Sequence, residues 1–153
     1  MKRIEFGELR IGEIARKNLN EVCDTNWASN GPKVKELESK WSGLFDYEKS
    51  VATSSGTDGC INACLSLYDL KGAERNVSEV IVPALSFIAT SNAVRAAGLV
   101  PRFVDVKKET LNIDETKIEE AINENTVAIQ VVHTMGRMAE MDVICEIAEK
   151  QSL

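Results

Sequence analysis

One histidine, three prolines and four scattered cysteines are what this sequence has least to build with. His133 stands alone against Cys23, Cys60, Cys64 and Cys145, with no CxxC pair, so a mixed Cys/His zinc site of ordinary spacing lacks ligands. Cys60 and Cys64 could share one helix face. Small apolar residues on a buried helix in a reducing cytoplasm are the preferred reading over a two-cysteine metal clip. No apolar run is long enough to cross a bilayer, and Met1-Lys2-Arg3-Ile4-Glu5 lacks the apolar core of a signal peptide. Both absences argue against membrane and secreted locations and for the cytoplasm. Eighteen Lys and Arg against 24 Asp and Glu leave a formal charge of −6, the wrong sign for a general nucleic-acid binder. That sign leaves room for a small phosphate-bearing ligand, because backbone N–H groups build such sites. Neither a Walker loop nor a GxGxxG fingerprint is present, so the common nucleotide motifs are missing.

What is there suits a folded chain. Hydrophobic residues make up 44% and charged residues 27% of 153 positions, the balance and length of one ordinary domain. Ile11 to Val22 carries apolar residues at roughly helical spacing, interrupted by Asp24-Thr25-Asn26. Gly31-Pro32 opens the next element, with Pro32 in the first helical turn. Val34, Leu37, Trp41 and Leu44 then form a stripe expected to bury one face of a helix. Residues 1–48 therefore read as an N-terminal arm and helices leading into a domain that occupies residues 49–153.

Within that domain the pattern is regular. Val51-Ala52-Thr53, Glu79 to Pro83, Arg102 to Val106 and Thr126 to Val132 are strand candidates. Helices are expected through Ile61, Cys64, Leu65 and Tyr68, from Ile88 to Ala97 with Gly98 as its stop, and through Ile118, Ala121 and Ile122 with Asp114 near the start. A last one runs through Met141, Ile144 and Ala148. Strands apolar throughout demand a parallel sheet covered on both faces, and alternation predicts right-handed βαβ units. The class is α/β. The last helix leads nowhere, so the sequence reads as the front part of a larger domain with an open sheet edge.

Ligands of such sheets bind outside the carboxyl ends of the strands. Thr53-Ser54-Ser55-Gly56-Thr57-Asp58 lies between a strand candidate and a helix start, where free N–H groups and the helix dipole favour an anion. Taken alone, this turn reads first as a helix cap. Phe87, on the loop leaving Pro83, could lie against a planar ring, though alone it reads first as a core residue. His133, after the fourth strand candidate, is either catalytic or a hydrogen-bonded strand cap.

The combination is more specific than its parts. Gly31-Pro32-Lys33-Val34 with Glu38, Ser55-Gly56-Thr57, Val80-Ile81-Val82-Pro83 with Ser86-Phe87-Ile88-Ala89-Thr90, Pro101 to Val106, Thr110 to Asp114 and Val132-His133-Thr134-Met135-Gly136 follow one another in an order that resembles a known family. That family is the DegT/DnrJ/EryC1/StrS aminotransferases, and the resemblance runs from about Ile4 to Leu153. It implies an aspartate-aminotransferase-type (fold type I) large domain, mostly parallel, present here in its N-terminal part. It also implies pyridoxal 5'-phosphate as cofactor, a homodimer with shared active sites, and amination of a keto sugar linked to a nucleotide by an amino-acid donor, as in polysaccharide biosynthesis. By resemblance, Gly56, Thr57 and the Asp58 backbone hold the cofactor phosphate, and Phe87 stacks on the pyridine ring. Many members carry a small apolar residue where this chain has Asp58, whose side chain is expected to point away from the phosphate. Trp27, Ala28 and Ser29 match an arm that lies near substrate in some members.

Departures from the family pattern shape the expectation as much. No Lys stands in the context of the family's Schiff-base Lys, and the Asp motif that pairs with the pyridine nitrogen is absent. The 153 residues alone are therefore expected to be inactive, with no catalytic residue assigned beyond His133 as a candidate. Other readings are a sugar dehydratase of the same family, in which His replaces the Lys, and a different pyridoxal-phosphate enzyme of this fold. A truncated, non-catalytic module that pairs with a full-length partner is a further one. A Rossmann dinucleotide binder is disfavoured by the missing glycines.

Overall fold

The computed structural model describes residues 9–153, so the Met1–Glu5 stretch and the start of the family resemblance at Ile4 lie outside the described residues. Two compact units divide the chain, Met1–Ala52 and Thr53–Leu153.

Among its described residues the first unit carries two helices. Helix α1, Glu13–Thr25, ends where Asn26 turns left-handed at φ 53°. Helix α2, Pro32–Phe45, starts with Pro32 at its first position, where the missing N–H costs no helical bond. The apolar stripe on α2 forms but is not buried: Leu37 is 55% exposed, Trp41 51% and Leu44 74%. Periodicity sets which side of a helix is apolar, while burial needs an element to cover it, and α2 buries none of its residues. Trp41 and Phe45 pack ring against ring at 4.7 Å between centroids.

Val51-Ala52-Thr53, expected as a strand, joins no sheet among the described residues. The Ala52 N–H goes instead to the Glu38 side chain at 2.8 Å, so no ladder forms. Among the described residues, three strands therefore stand where four were expected.

In the second unit, helix α3 spans Gly56–Lys71, β1 Glu79–Pro83, α4 Ala89–Ala96 and β2 Val100–Val104. A 3-10 turn, Glu115–Lys117, runs into the short α5, Ile118–Ala121, followed by β3, Thr126–Ile129, and α6, Met141–Lys150. The sheet is parallel in the order β2-β1-β3. β2 begins two residues earlier than expected, because Glu79 pairs with Val100 and Pro83 with Val104. Pro101 is tolerated there because it sits on an edge strand. β3 is shorter than its apolar run: Gln130 N–H still reaches the Ile81 carbonyl at 2.8 Å, but β1 ends at Pro83 and offers no further ladder. The helix expected around Ile118 is confined to one turn beyond the 3-10 segment.

β1 is buried on both faces, as its unbroken apolar run requires. Val80 and Val82 pack with Cys64 of α3 and Val94 of α4, whereas Ile81 points to Val104, Ile113, Ile118, Ile144 and Ile147. Successive residues of one strand thus feed two cores, one under α3 and α4, the other under α5 and α6. Gly98, at φ +85°, stops the chain after α4 as its position predicts. No helix among the described residues is long and apolar enough to cross a membrane.

Candidate functional site

The carboxyl end of the sheet collects the residues singled out by sequence. The carboxyl end of α3 lies beside the residues that enter β2, since the Tyr68 hydroxyl donates to the Ala97 carbonyl at 2.9 Å. Helix α3 therefore runs back along the sheet, and its amino end, Gly56, lies toward the end from which Pro83-Ala84-Leu85-Ser86-Phe87 leaves β1. His133 follows β3 at that same end.

At the α3 turn, Ser55 is the N-cap and its Oγ accepts the Asp58 N–H at 3.1 Å. The Asp58 carboxylate reaches back and accepts the hydroxyls of Ser54 and Ser55, the latter at 2.9 Å. These hydroxyls, Ser54 first, hold the Asp58 carboxyl below the usual aspartate range. The Ser55-x-x-Asp58 spacing is that of a capping box, but only its first half forms, since the carboxylate takes the serine hydroxyls rather than the Ser55 N–H. Being the first two helical residues, Gly56 and Thr57 have no intrahelical acceptor for their N–H groups. Gly56 and Thr57 are both exposed, and a Cβ placed on Gly56 would meet nothing within 4 Å.

Phe87 stands 77% exposed, not in a core. Its carbonyl accepts the Thr90 N–H at 3.0 Å, which fixes the backbone at the entry to α4 and leaves the ring free. A large aromatic held out at the carboxyl end of a strand is available to a planar partner.

His133 is a brace. Its Nδ1 accepts the Ala139 N–H at 3.2 Å, tying the end of β3 to the entry of α6 and leaving Nε2 as the nitrogen that carries the proton. A second brace escaped sequence reasoning. Asn112, 3% exposed, donates to the carbonyls of Arg137 (3.1 Å) and Met138 (2.9 Å) and accepts the Thr134 N–H at 2.8 Å. Nothing in the Asn112 neighbourhood announces partners more than twenty positions away.

Cys64 is 4% exposed in the core under α3, and burial, with Cys60 nearby, pushes its thiol up. Its environment is that of a packing residue. In the first unit, Trp27 and Ala28 line a recess of about 510 Å³ with Val22, Pro32 and Val34. The Trp27 ring lies over Gly31 so closely that a Cβ there would come within 2.7 Å of it.

A phosphate and a planar ring thus match what this end of the sheet offers: open N–H groups, the Thr57 hydroxyl and an exposed aromatic. Comparison with known proteins points the same way. The model of the DegT/DnrJ/EryC1/StrS aminotransferase family matches residues 10–153. A Bacillus subtilis 3-oxo-glucose-6-phosphate:glutamate aminotransferase is 41% identical over 135 residues, which cover 88% of this chain and 30% of that protein. GDP-perosamine synthase of Caulobacter vibrioides is 32% identical over 154 residues, covering 100% of this chain and 40% of the relative. Among solved structures, that of the E. coli GDP-4-keto-6-deoxy-D-mannose-3-dehydratase with bound hydrated PLP superposes with a TM-score of 0.84 at 28% identity, over 93% of this chain and 37% of that one. The chain spans 30% and 40% of the lengths of the two curated relatives.

Proposed function

Because the chain belongs to the DegT/DnrJ/EryC1/StrS aminotransferase family, we propose that the protein it represents moves an amino group from an amino-acid donor, such as glutamate, onto the keto group of a nucleotide-linked sugar. The observation that carries this reading is the family match across residues 10–153, joined to an exposed helix-start turn and an exposed aromatic at one end of the sheet. One relative is named for a sugar 6-phosphate and another for a GDP-linked product, so the substrate class is a keto sugar bearing a phosphate or nucleotidyl group, with the nucleotide form preferred.

Pyridoxal phosphate, the family's cofactor, supplies an electron sink for the carbon that exchanges the amino group. In this reading the N–H groups of Gly56 and Thr57 and the Thr57 hydroxyl hold its phosphate against the positive end of α3. Phe87 would stack on the cofactor's pyridine ring. His133 keeps the loop after β3 in place through its Nδ1. These residues bind and orient; no Lys here stands in the family's covalent context, and no proton transfer is assigned to them. Two copies sharing active sites, in the cytoplasm, complete the proposal.

A dehydratase is the second reading, because a sugar 3-dehydratase superposes with the same TM-score, 0.84, as a putative sugar aminotransferase of Streptococcus pneumoniae. One experiment separates the two. The full-length protein is supplied with glutamate and a keto sugar nucleotide. Release of 2-oxoglutarate together with an aminated sugar is the expected result. A sugar that loses a hydroxyl without gaining nitrogen would establish the dehydratase instead.

A further inference from the structure

We propose that Asp58 is a built-in competing anion that sets how tightly phosphate is held at the α3 turn. The inference rests on the cradle reading above and goes beyond it, because it concerns the side chain of a residue whose backbone alone was expected to matter.

The donors at the turn are not all free. A hydroxyl has one proton to give. Ser54 and Ser55 both give theirs to the Asp58 carboxylate, and the Asp58 N–H is spent on Ser55 Oγ, so three donors are already committed. What remains for an incoming phosphate is the N–H of Gly56, the N–H of Thr57 and the Thr57 hydroxyl. The carboxylate also sits in the first turn of α3, where it uses the same positive helix end that would stabilise phosphate. Among the described residues no Lys or Arg forms an ion pair with Asp58 to cancel that charge. The serine hydroxyls lower the titration of the carboxyl, so it is ionised at neutral pH, where the phosphate is charged too.

Two like charges about 6 Å apart, screened as in water, cost roughly a threefold change in affinity per phosphate charge, so about three- to tenfold for a phosphate near neutral pH. Asp58→Asn removes the charge and keeps an oxygen that can accept both serine hydroxyls. Asp58→Ala removes the charge and also releases the two hydroxyl protons.

The test uses the 153-residue chain and deoxypyridoxine phosphate, which lacks the aldehyde that would react with surface lysines. Free deoxypyridoxine is the control without phosphate. Affinity is read by calorimetry, with circular dichroism confirming that each variant is folded. D58N should bind the phosphate compound about three- to tenfold more tightly, D58A at least as tightly as D58N, and free deoxypyridoxine should bind all forms alike. If D58N and D58A are unchanged or weaker while Thr57→Val still weakens binding, the competing-anion proposal is wrong and the cradle stands. If neither Thr57 nor Asp58 substitution alters phosphate affinity, both fall.

Discussion

Tyr68 and Ala97, twenty-nine positions apart, are joined by a 2.9 Å hydrogen bond from the tyrosine hydroxyl to the alanine carbonyl. That bond anchors the carboxyl ends of α3 and α4 to each other, and with them the direction in which both helices present their amino ends. Gly98 makes the approach possible, since a Cβ there would lie 3.1 Å from the Tyr68 hydroxyl and from the Arg75 guanidinium. Tyr68→Phe is expected to lower unfolding free energy by about 1 kcal/mol, the net worth of one hydrogen bond. Gly98→Ala should cost more, about 1–2 kcal/mol from the left-handed backbone alone, with crowding added. Urea unfolding of the two variants checks the order.

Asn112 offers a sharper contrast. Asn112→Ala leaves two carbonyls and one N–H without their partner in a buried setting, and a loss of about 2–4 kcal/mol is expected. Asn112→Asp keeps the shape but turns an acceptor toward the Arg137 and Met138 carbonyls, so it should be no better than Ala. Hydrogen exchange at the Thr134 amide should accelerate in both. If Thr134 keeps its protection, the brace is not what holds the loop.

Asp114 carries an acid-sensitive share of stability. Its Oδ1 accepts the Thr116 hydroxyl at 2.7 Å and the Thr116 N–H at 3.2 Å, and the hydroxyl bond is the chief reason its carboxyl titrates below the usual range. A carboxyl lowered in the folded state stabilises fully above its unfolded value, about pH 4, and loses that contribution as pH falls through its lower native value. Unfolding free energy measured between pH 3 and 6 should therefore fall less steeply toward acid in Asp114→Asn. At pH 7 that variant should stay close to the parent, because Asn caps nearly as well as Asp.

Phe87 separates folding from binding. With its ring 77% exposed, Phe87→Ala should change unfolding free energy by no more than about 0.5 kcal/mol. The same change should weaken deoxypyridoxine phosphate by about 0.5–1.5 kcal/mol if the ring stacks as proposed. Equal affinity in parent and variant would remove Phe87 from the site.

How much of this was legible in the sequence depends on the range of the interactions involved. The β1 run, the stop at Gly98, Pro32 at the head of α2 and the Asp114 cap are local statements, and the structure repeats them. The strand at Val51–Thr53 failed because pairing is decided by a partner elsewhere in the chain, and Ala52 found Glu38 instead. The α2 stripe failed for the same kind of reason, since periodicity cannot say what covers it. Phe87, which local reading puts in a core, is exposed, and His133, which position alone leaves between catalysis and capping, braces a loop through its Nδ1. Asn112 stayed hidden because its partners are set by tertiary folding alone. The Ser54–Ser55–Asp58 network lay in plain spacing, yet its consequence for phosphate needed the direction of each hydroxyl proton.

The central claim is that phosphate is held at the amino end of α3, and amide NMR during titration with deoxypyridoxine phosphate tests it most directly. The account predicts that the Gly56 and Thr57 amide resonances move first and saturably, and that Thr57→Val raises the concentration needed. Gly56 and Thr57 amides that stay still while the compound binds elsewhere would contradict it.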